Sequence, residues 1–306
     1  MTGKYAHVGN LQLHYVDSGS GPLVFFLHGF PEFWYSWRHQ LKALSSSYHA
    51  VAVDMRGYNL SSKPESTKSY RASEVAEDIL ALADGLGAEK FSIVGHDWGG
   101  VIAWRMANRF PDRLDKLVII NAPHPAIMRR ELLHNPKQLL ASSYILFLRL
   151  PGSERMLRAF DFRLLRPILD RGLEKGYFAR QDVDAYVAAW SQPGALRGSV
   201  AYYKAIDILP ALRKRGEIDE RPISVPTLVI WGERDRNLLP GNLDGLDVFV
   251  DNLKVHRVPD ASHWIVQEQP EMINRLLLDF LTSHDVRGLE VVPSIPGPDQ
   301  LGDRRP

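Results

Sequence analysis

The sequence contains no cysteine, which excludes disulfides and thiolate metal sites. It has almost no excess of charge, with 37 Lys and Arg against 36 Asp and Glu in 306 residues. That balance supplies no long-range field to recruit nucleic acid or an anionic membrane surface, so the expected ligand is small and neutral. Long apolar runs are missing as well. Stretches such as Leu23 to Leu27 and Leu117 to Ile120 fall far short of the roughly 20 residues that span a bilayer, and no membrane insertion is expected. The opening MTGKYAHVGN has no apolar core of a secretory signal, which makes a cytoplasmic location the default expectation. Internal repeats are absent.

What is present is ordinary globular composition, 45% apolar and 24% charged, in a chain long enough to bury a sizeable core. Short β-rich runs recur at Leu23 to Leu27, Ala50 to Val53, Phe91 to Val94, Leu117 to Ile120, Thr227 to Trp231 and Val255 to Val258. Helix-like sequence follows each run, and the runs do not alternate polar with apolar. This predicts an α/β fold in which a mostly parallel sheet is covered by helices on both faces. Ser73 to Leu86, Gly99 to Arg109 and Pro270 to Leu281 are expected helices. Tyr5 to Val8 and Leu11 to Val16 predict an antiparallel hairpin across Gly9-Asn10.

The strand rhythm stops near Pro123 and resumes after Pro222. The intervening helical, aromatic segment is broken at Pro151-Gly152, Gly172, Gly176 and Pro193-Gly194, as expected for an inserted helical cap. The predicted organisation is a hydrolase-like core of residues 1–122 and 223–284, a cap of residues 123–222, and a tail of residues 285–306 rich in Pro, Gly and charge.

Chemistry concentrates where the strands end. Phe91-Ser92-Ile93-Val94-Gly95-His96-Asp97-Trp98-Gly99-Gly100 has the strand-turn-helix context of a nucleophile elbow, with Asp where hydrolases usually carry Ser. An Asp in a βα turn is often only a helix N-cap, and the surrounding pattern is what favours a nucleophile. A carboxylate attacking an ester carbonyl would form an anhydride, whereas one attacking saturated carbon forms an alkyl-enzyme ester that water can cleave. The substrate should therefore carry an epoxide oxygen or a halide on sp³ carbon.

Cleaving that ester requires a histidine oriented by a carboxylate, in the order nucleophile, acid, histidine. His263 follows the last predicted strand and Asp235 the one before it. Asn121, after the strand from Leu117, is the other position for an orienting group. As an amide it could not stabilise a charged histidine, and it is read as structural. Phe30, after Phe26-Leu27-His28-Gly29, can supply a backbone N–H that joins that of Trp98 in an oxyanion hole. His28 is read as hydrogen-bonding its loop and not as a second base.

HGFPEFWYSWR from His28, DMRGY from Asp54, GHDWGG from Gly95, WGERD from Trp231 and ASHW from Ala261 together resemble the soluble epoxide hydrolases of the α/β-hydrolase fold. SSYILFLRLPG from Ser142, SQPGAL from Ser191 and AYYKA from Ala201 carry the resemblance into the cap, so that it covers about Tyr5 to Ser283. It implies a small apolar epoxide as substrate, water as co-reactant, and neither metal nor organic cofactor.

The resemblance also implies that two cap tyrosines, at the positions of Tyr144 and Tyr203, donate hydrogen bonds to the epoxide oxygen. A phenol with pKa near 10 is protonated at neutral pH and suited to that task. Tyr202 and Tyr203 are neighbours, and on a helix they would point about 100° apart, so only one should face the nucleophile. The resemblance selects Tyr203. Asn59 stands where relatives commonly have Gly.

Phe30, Trp98, Phe147, Leu148, Trp190 and Trp264 are the expected pocket lining. An exposed apolar patch on the cap would support a homodimer. Two other readings compete: a haloalkane or haloacid dehalogenase using the same Asp, and an inactive binding protein on the same fold. Apolar Phe30 and the paired tyrosines speak against the first, and the intact set of functional residues speaks against the second.

Overall fold

Every apolar run that the sequence marks as a strand joins one sheet. The structure, a computed structural model, describes residues 2–206 and 221–283; the expected tail of residues 285–306 lies outside the described residues. The strands are β1 (Gly3–Val8), β2 (Leu11–Ser18), β3 (Leu23–Leu27), β4 (His49–Val53), β5 (Phe91–His96), β6 (Leu114–Ile120), β7 (Thr227–Gly232) and β8 (Leu253–Val258). They form an eight-stranded sheet in the order β1-β2-β4-β3-β5-β6-β7-β8. β1 and β2 pair antiparallel through the predicted hairpin, β2 joins β4 antiparallel, and every pair from β4 to β8 is parallel.

Both faces are covered, which is why the central strands are apolar throughout. In β3, Leu23, Phe25 and Leu27 enter one buried cluster and Val24 and Phe26 the other. The first cluster is closed by α2 (Ala72–Gly85) and α3 (Trp98–Arg109), the second by α1 (Arg38–Leu44), α11 (Ile265–Glu268) and α12 (Pro270–Thr282).

Between β6 and β7 the chain leaves the sheet, and the described residues there form seven consecutive helices: α4 (Pro125–His134), α5 (Pro136–Ala141), α6 (Tyr144–Arg149), α7 (Ser153–Phe162), α8 (Arg166–Lys175), α9 (Arg180–Ser191) and α10 (Ala195–Ala205). Gly152, Gly176 and Gly194 flank them in left-handed conformations, at or beside the expected breaks. Gly172 does not break a helix. It lies inside α8, where a Cβ would sit 2.1 Å from the Phe178 ring, so glycine there permits close packing. No helix among the described residues is long and apolar enough to cross a membrane.

The chain steps from β3 outward to β4, then crosses back to place β5 on the other side of β3. That reversal opens a crevice at the carboxyl ends of β3 and β5, the place where open α/β sheets hold ligands.

Candidate active site

Asp97 stands at the mouth of that crevice, in the turn from β5 into α3. It adopts φ 51° and ψ −119° between β5 and α3, a left-handed conformation that costs a non-glycine residue strain and is tolerated where a side chain must be presented. The surrounding glycines are sterically required. A Cβ on Gly99 would lie 2.0 Å from the Leu27 carbonyl oxygen, and one on Gly29 would overlap Asp97 Cβ at 2.3 Å.

The loop after β3 meets the nucleophile position directly. Phe30 N–H donates to Asp97 Oδ1 at 2.8 Å. Trp98 opens α3, and a first-turn N–H has no acceptor within its own helix. His28 is structural: Nδ1 donates to the Gly29 carbonyl at 2.9 Å, and Nε2 accepts from Met55 N–H at 3.2 Å. Burial pushes its pKa down.

From the ends of β7 and β8, Asp235 and His263 arrive on the other side. His263 Nδ1 donates to Asp235 Oδ2 at 2.6 Å, while Nε2 faces Asp97 Oδ2 across 3.7 Å. Burial would lower the His263 pKa, but the Asp235 charge and hydrogen bond, with a further contribution from Asp97, raise it to about 9. For Asp235, burial acts upward and is outweighed by His263 and by the Leu238 and Asn237 N–H groups, so its pKa is lowered.

Tyr144 and Tyr203 come from α6 and α10. Their rings meet edge to face with centroids 6.0 Å apart, and Tyr203 also packs edge-on against Trp98 at 5.2 Å and Phe30 at 5.4 Å. Burial is the main cause that pushes both phenols upward; the nearby Asp97 carboxylate adds to it. Both are therefore held as O–H donors.

The neighbour Tyr202 turns away and donates to the Arg56 carbonyl at 2.9 Å. Arg56 is itself held by Asp78 through two contacts of 2.5 Å. α10 can sit this low because Gly198 has no side chain: a Cβ there would lie 2.3 Å from the Gly57 carbonyl oxygen. Arg149 then ties α6 to the end of α10 by donating to the Tyr203 and Ile206 carbonyls at 2.5 and 2.7 Å.

Of the expected pocket residues, Phe30, Trp98 and Trp264 lie beside the reacting groups, Trp264 with its ring 5.7 Å from that of His263. Phe147 and Leu148 share α6 with Tyr144 and pack into the core, Leu148 almost completely buried. Trp190 is used differently. Its indole N–H donates to the Pro31 carbonyl at 2.6 Å and its ring packs on Phe162 and Tyr186, so it closes the interior of the inserted helices.

Three contributors escape sequence reasoning. Asn121, read as structural, donates from Nδ2 to Asp235 Oδ2 at 2.8 Å and accepts from Gly232 N–H at 2.8 Å. With Asn237 and Leu238 N–H on the other oxygen at 2.8 and 2.9 Å, it fixes the carboxylate that holds His263. Its place after β6 was the available signal. Replacing Asn121 by Ala removes one charge-assisted hydrogen bond, worth roughly 1.5–3 kcal/mol. Turnover should fall about tenfold or more, with a shifted pH profile and an unchanged far-ultraviolet spectrum.

The other two are His96 and Glu32, both inside quoted motifs and both without an assigned role. His96 Nδ1 faces Glu32 Oε2 at 2.8 Å, and Nε2 faces the His263 carbonyl at 2.8 Å. Burial pushes the Glu32 carboxyl up, but His96 and Ser36 outweigh it and bring it down to about 2. The pair braces the His263 backbone from beneath. Among the described residues no three His, Asp or Glu side chains converge to hold a metal ion.

A family model described as the alpha/beta hydrolase fold matches residues 22–270. Epoxide hydrolase 4 of Mus musculus is 38% identical over 281 residues, 89% of this chain and 76% of that protein. AB hydrolase superfamily protein YfhM of Bacillus subtilis is 38% identical over 284 residues, 91% of this chain and 97% of its own length. Among solved structures, an epoxide hydrolase from Bacillus megaterium in complex with an inhibitor is 37% identical, with a TM-score of 0.88 over 92% of this chain and all of the other.

Proposed function

The chain belongs to the epoxide hydrolase family of the α/β-hydrolase fold, and from that premise we propose that it converts epoxides to vicinal diols through a covalent ester on Asp97. The observation that carries the reading is the convergence of five groups: the Asp97 carboxylate, the His263–Asp235 pair with Nε2 3.7 Å from it, and two phenols that meet edge to face and feel the Asp97 charge.

The epoxide lies between Asp97 and the tyrosines. Tyr144 and Tyr203 hydrogen-bond its oxygen while an Asp97 oxygen attacks carbon from the opposite side, so the C–O bond breaks as a phenol proton reaches the alkoxide. The product is a neutral hydroxyalkyl ester. His263 Nε2 then takes a proton from water, which adds to the Asp97 carbonyl carbon. The N–H groups of Phe30 and Trp98 receive the oxyanion; on collapse the departing diol oxygen takes the proton from His263, and the proton left on the regenerated Asp97 carboxyl returns through solvent to the phenolate, which restores all three groups. Asp235 stabilises the imidazolium throughout. The helices of the insertion act as the cap that carries the acid and excludes bulk water.

This assignment separates two adjacent phenols. Tyr203→Phe should lower kcat/KM by roughly tenfold to a hundredfold by removing one of two acid donors. Tyr202→Phe should lower thermal stability through the lost Arg56 contact while leaving kcat/KM within about twofold, since it removes a neutral hydrogen bond worth about 1 kcal/mol.

The deciding experiment is a single turnover of excess enzyme with styrene oxide in ¹⁸O-labelled water. Unlabelled diol with ¹⁸O retained on the Asp97 peptide supports the covalent route. Labelled diol with an unlabelled peptide means direct attack by water and removes Asp97 as nucleophile. Absence of diol, with halide released from a haloalkane, favours the dehalogenase reading.

A further inference from the structure

The outer surface of the inserted helices combines exposed apolar side chains with a local excess of positive charge. Seven of the eleven exposed large hydrophobic side chains among the described residues lie between residues 137 and 166, with Phe160, Leu140 and Leu146 exposed by 85%, 75% and 65%. The same 30 residues hold six Lys and Arg against two Asp and Glu, whereas the remainder of the chain holds 31 against 34. The near-neutral total thus conceals a local excess of four positive charges.

Both acids in that stretch are already engaged. Glu154 pairs with Lys204 at 3.2 Å, and Asp161 pairs with Arg166. Arg149 is spent on the carbonyls that end α10. Lys137, Arg155, Arg158 and Arg163 are left exposed, interleaved with the exposed apolar chains.

α6 and α7 form one outward face, which α5 adjoins across Ser142 and Ser143. α6 and α7 pack on each other and both rest on α10. Leu148 and Leu157 are buried beneath them, and Leu146 and Met156 are left outside. The backbone is bent to the same end: α7 loses helical geometry at Ala159, and Phe160, Asp161 and Phe162 follow with φ of 51°, 54° and 60°. Phe162 is thereby buried while Phe160 is the most exposed large apolar side chain described.

We propose that this face is a docking surface for an anionic lipid bilayer, with Leu140, Leu146 and Phe160 entering the interface and Lys137, Arg155, Arg158 and Arg163 facing lipid phosphates. Apolar side chains interleaved with basic ones are what a peripheral membrane surface recognises. A second copy of the chain fits less well, because an isologous contact would set the same positive face against itself. Docking would also bring α6, whose inner side carries Tyr144, to the boundary from which apolar epoxides partition. That consequence rests on the function proposed above; the docking itself does not.

The test is cosedimentation of the full chain with vesicles of phosphatidylglycerol and phosphatidylcholine in equal parts, against vesicles of phosphatidylcholine alone. Binding to the anionic vesicles should weaken with salt and be absent from the neutral ones. Each arginine near the surface is worth about fivefold in partitioning, so the triple variant Arg155→Gln, Arg158→Gln, Arg163→Gln should lose on the order of a hundredfold. Leu140→Ser with Phe160→Ser should release the protein as well, and both variants should retain full turnover of a water-soluble epoxide, which shows them folded. Equal binding to neutral vesicles, binding that survives both variants, or no binding by the parent chain would overturn the proposal. A dimer seen by sedimentation velocity and dissolved by Leu140→Ser and Phe160→Ser, without vesicle binding, would assign the face to a second copy of the chain.

Discussion

With His263 replaced by glutamine, the enzyme is expected to take up one equivalent of epoxide and stop. The attack step needs the Asp97 carboxylate and the two phenols, none of which the substitution removes. The second step needs a base at Nε2, and glutamine has none. General-base assistance is worth roughly 10²–10⁴-fold, and loss of the oriented pair should place steady-state turnover at the upper end of that range. Intact-mass spectrometry after mixing should show the protein heavier by the mass of the substrate, with the addition mapped to the Asp97 peptide. Full turnover with no adduct would remove His263 from the reaction.

The parent enzyme should show a milder version of the same arrest as pH falls. In the resting site His263 is raised to about 9, with Asp235 and Asp97 opposing burial. Esterification neutralises Asp97, removing one of the charges that raise it, so the histidine of the intermediate is a weaker base and is free at lower pH. Below that lowered pKa the ester should outlive its formation. Rapid-quench samples should contain a growing adduct fraction as pH drops, and hydrolysis should slow about tenfold per pH unit. Stability runs the other way. Because the folded pKa lies above the ordinary 6.5, the stabilisation from this group is complete below about 6.5 and is lost as pH rises through about 9. The His263→Gln variant should lack that loss.

Asp97→Ala should be silent at both steps. The alanine enzyme keeps the phenols, the His263–Asp235 pair and the Phe30 N–H, yet has no atom to bond carbon. No adduct should form, and diol production should fall by at least roughly 10⁴-fold, as for removal of a covalent nucleophile elsewhere. Combined with His263→Gln, it should erase the trapped ester, because the second residue acts only on the product of the first. Tyr203 and Tyr144 should still bind an epoxide in the double variant, so protection against thermal unfolding by a slowly reacting epoxide separates lost chemistry from lost binding.

Much of this site is legible in the sequence because each main residue sits in a turn that follows a strand. Asp97 is announced by the glycines its elbow requires, and Asp235 and His263 by their places after the last two strands. Asn59 shows how a departure is absorbed: it keeps a left-handed φ of 39° and donates to Asp54 Oδ2 at 2.8 Å, a substitution for glycine that asparagine tolerates. Trp190 shows the opposite case. Its aromatic character suggests a pocket wall, and the bond to the Pro31 carbonyl is added by how α9 lies across the β3 loop.

By itself, the sequence determined the sheet, the insertion, the elbow and the order of the proposed nucleophile, acid and base, since strand periodicity, turn glycines and helix starts are demands of the local backbone. Only the tertiary structure decided that Tyr202 spends its hydroxyl on the Arg56 carbonyl, that Asn121 holds Asp235 across 114 residues, and that Glu32 reaches His96 across 64. It also gathered basic and apolar side chains from α6 and α7 onto one face within a chain whose charges nearly cancel. Those outcomes depend on how distant segments cross and on what their side chains find there, and neither residue type nor spacing records that.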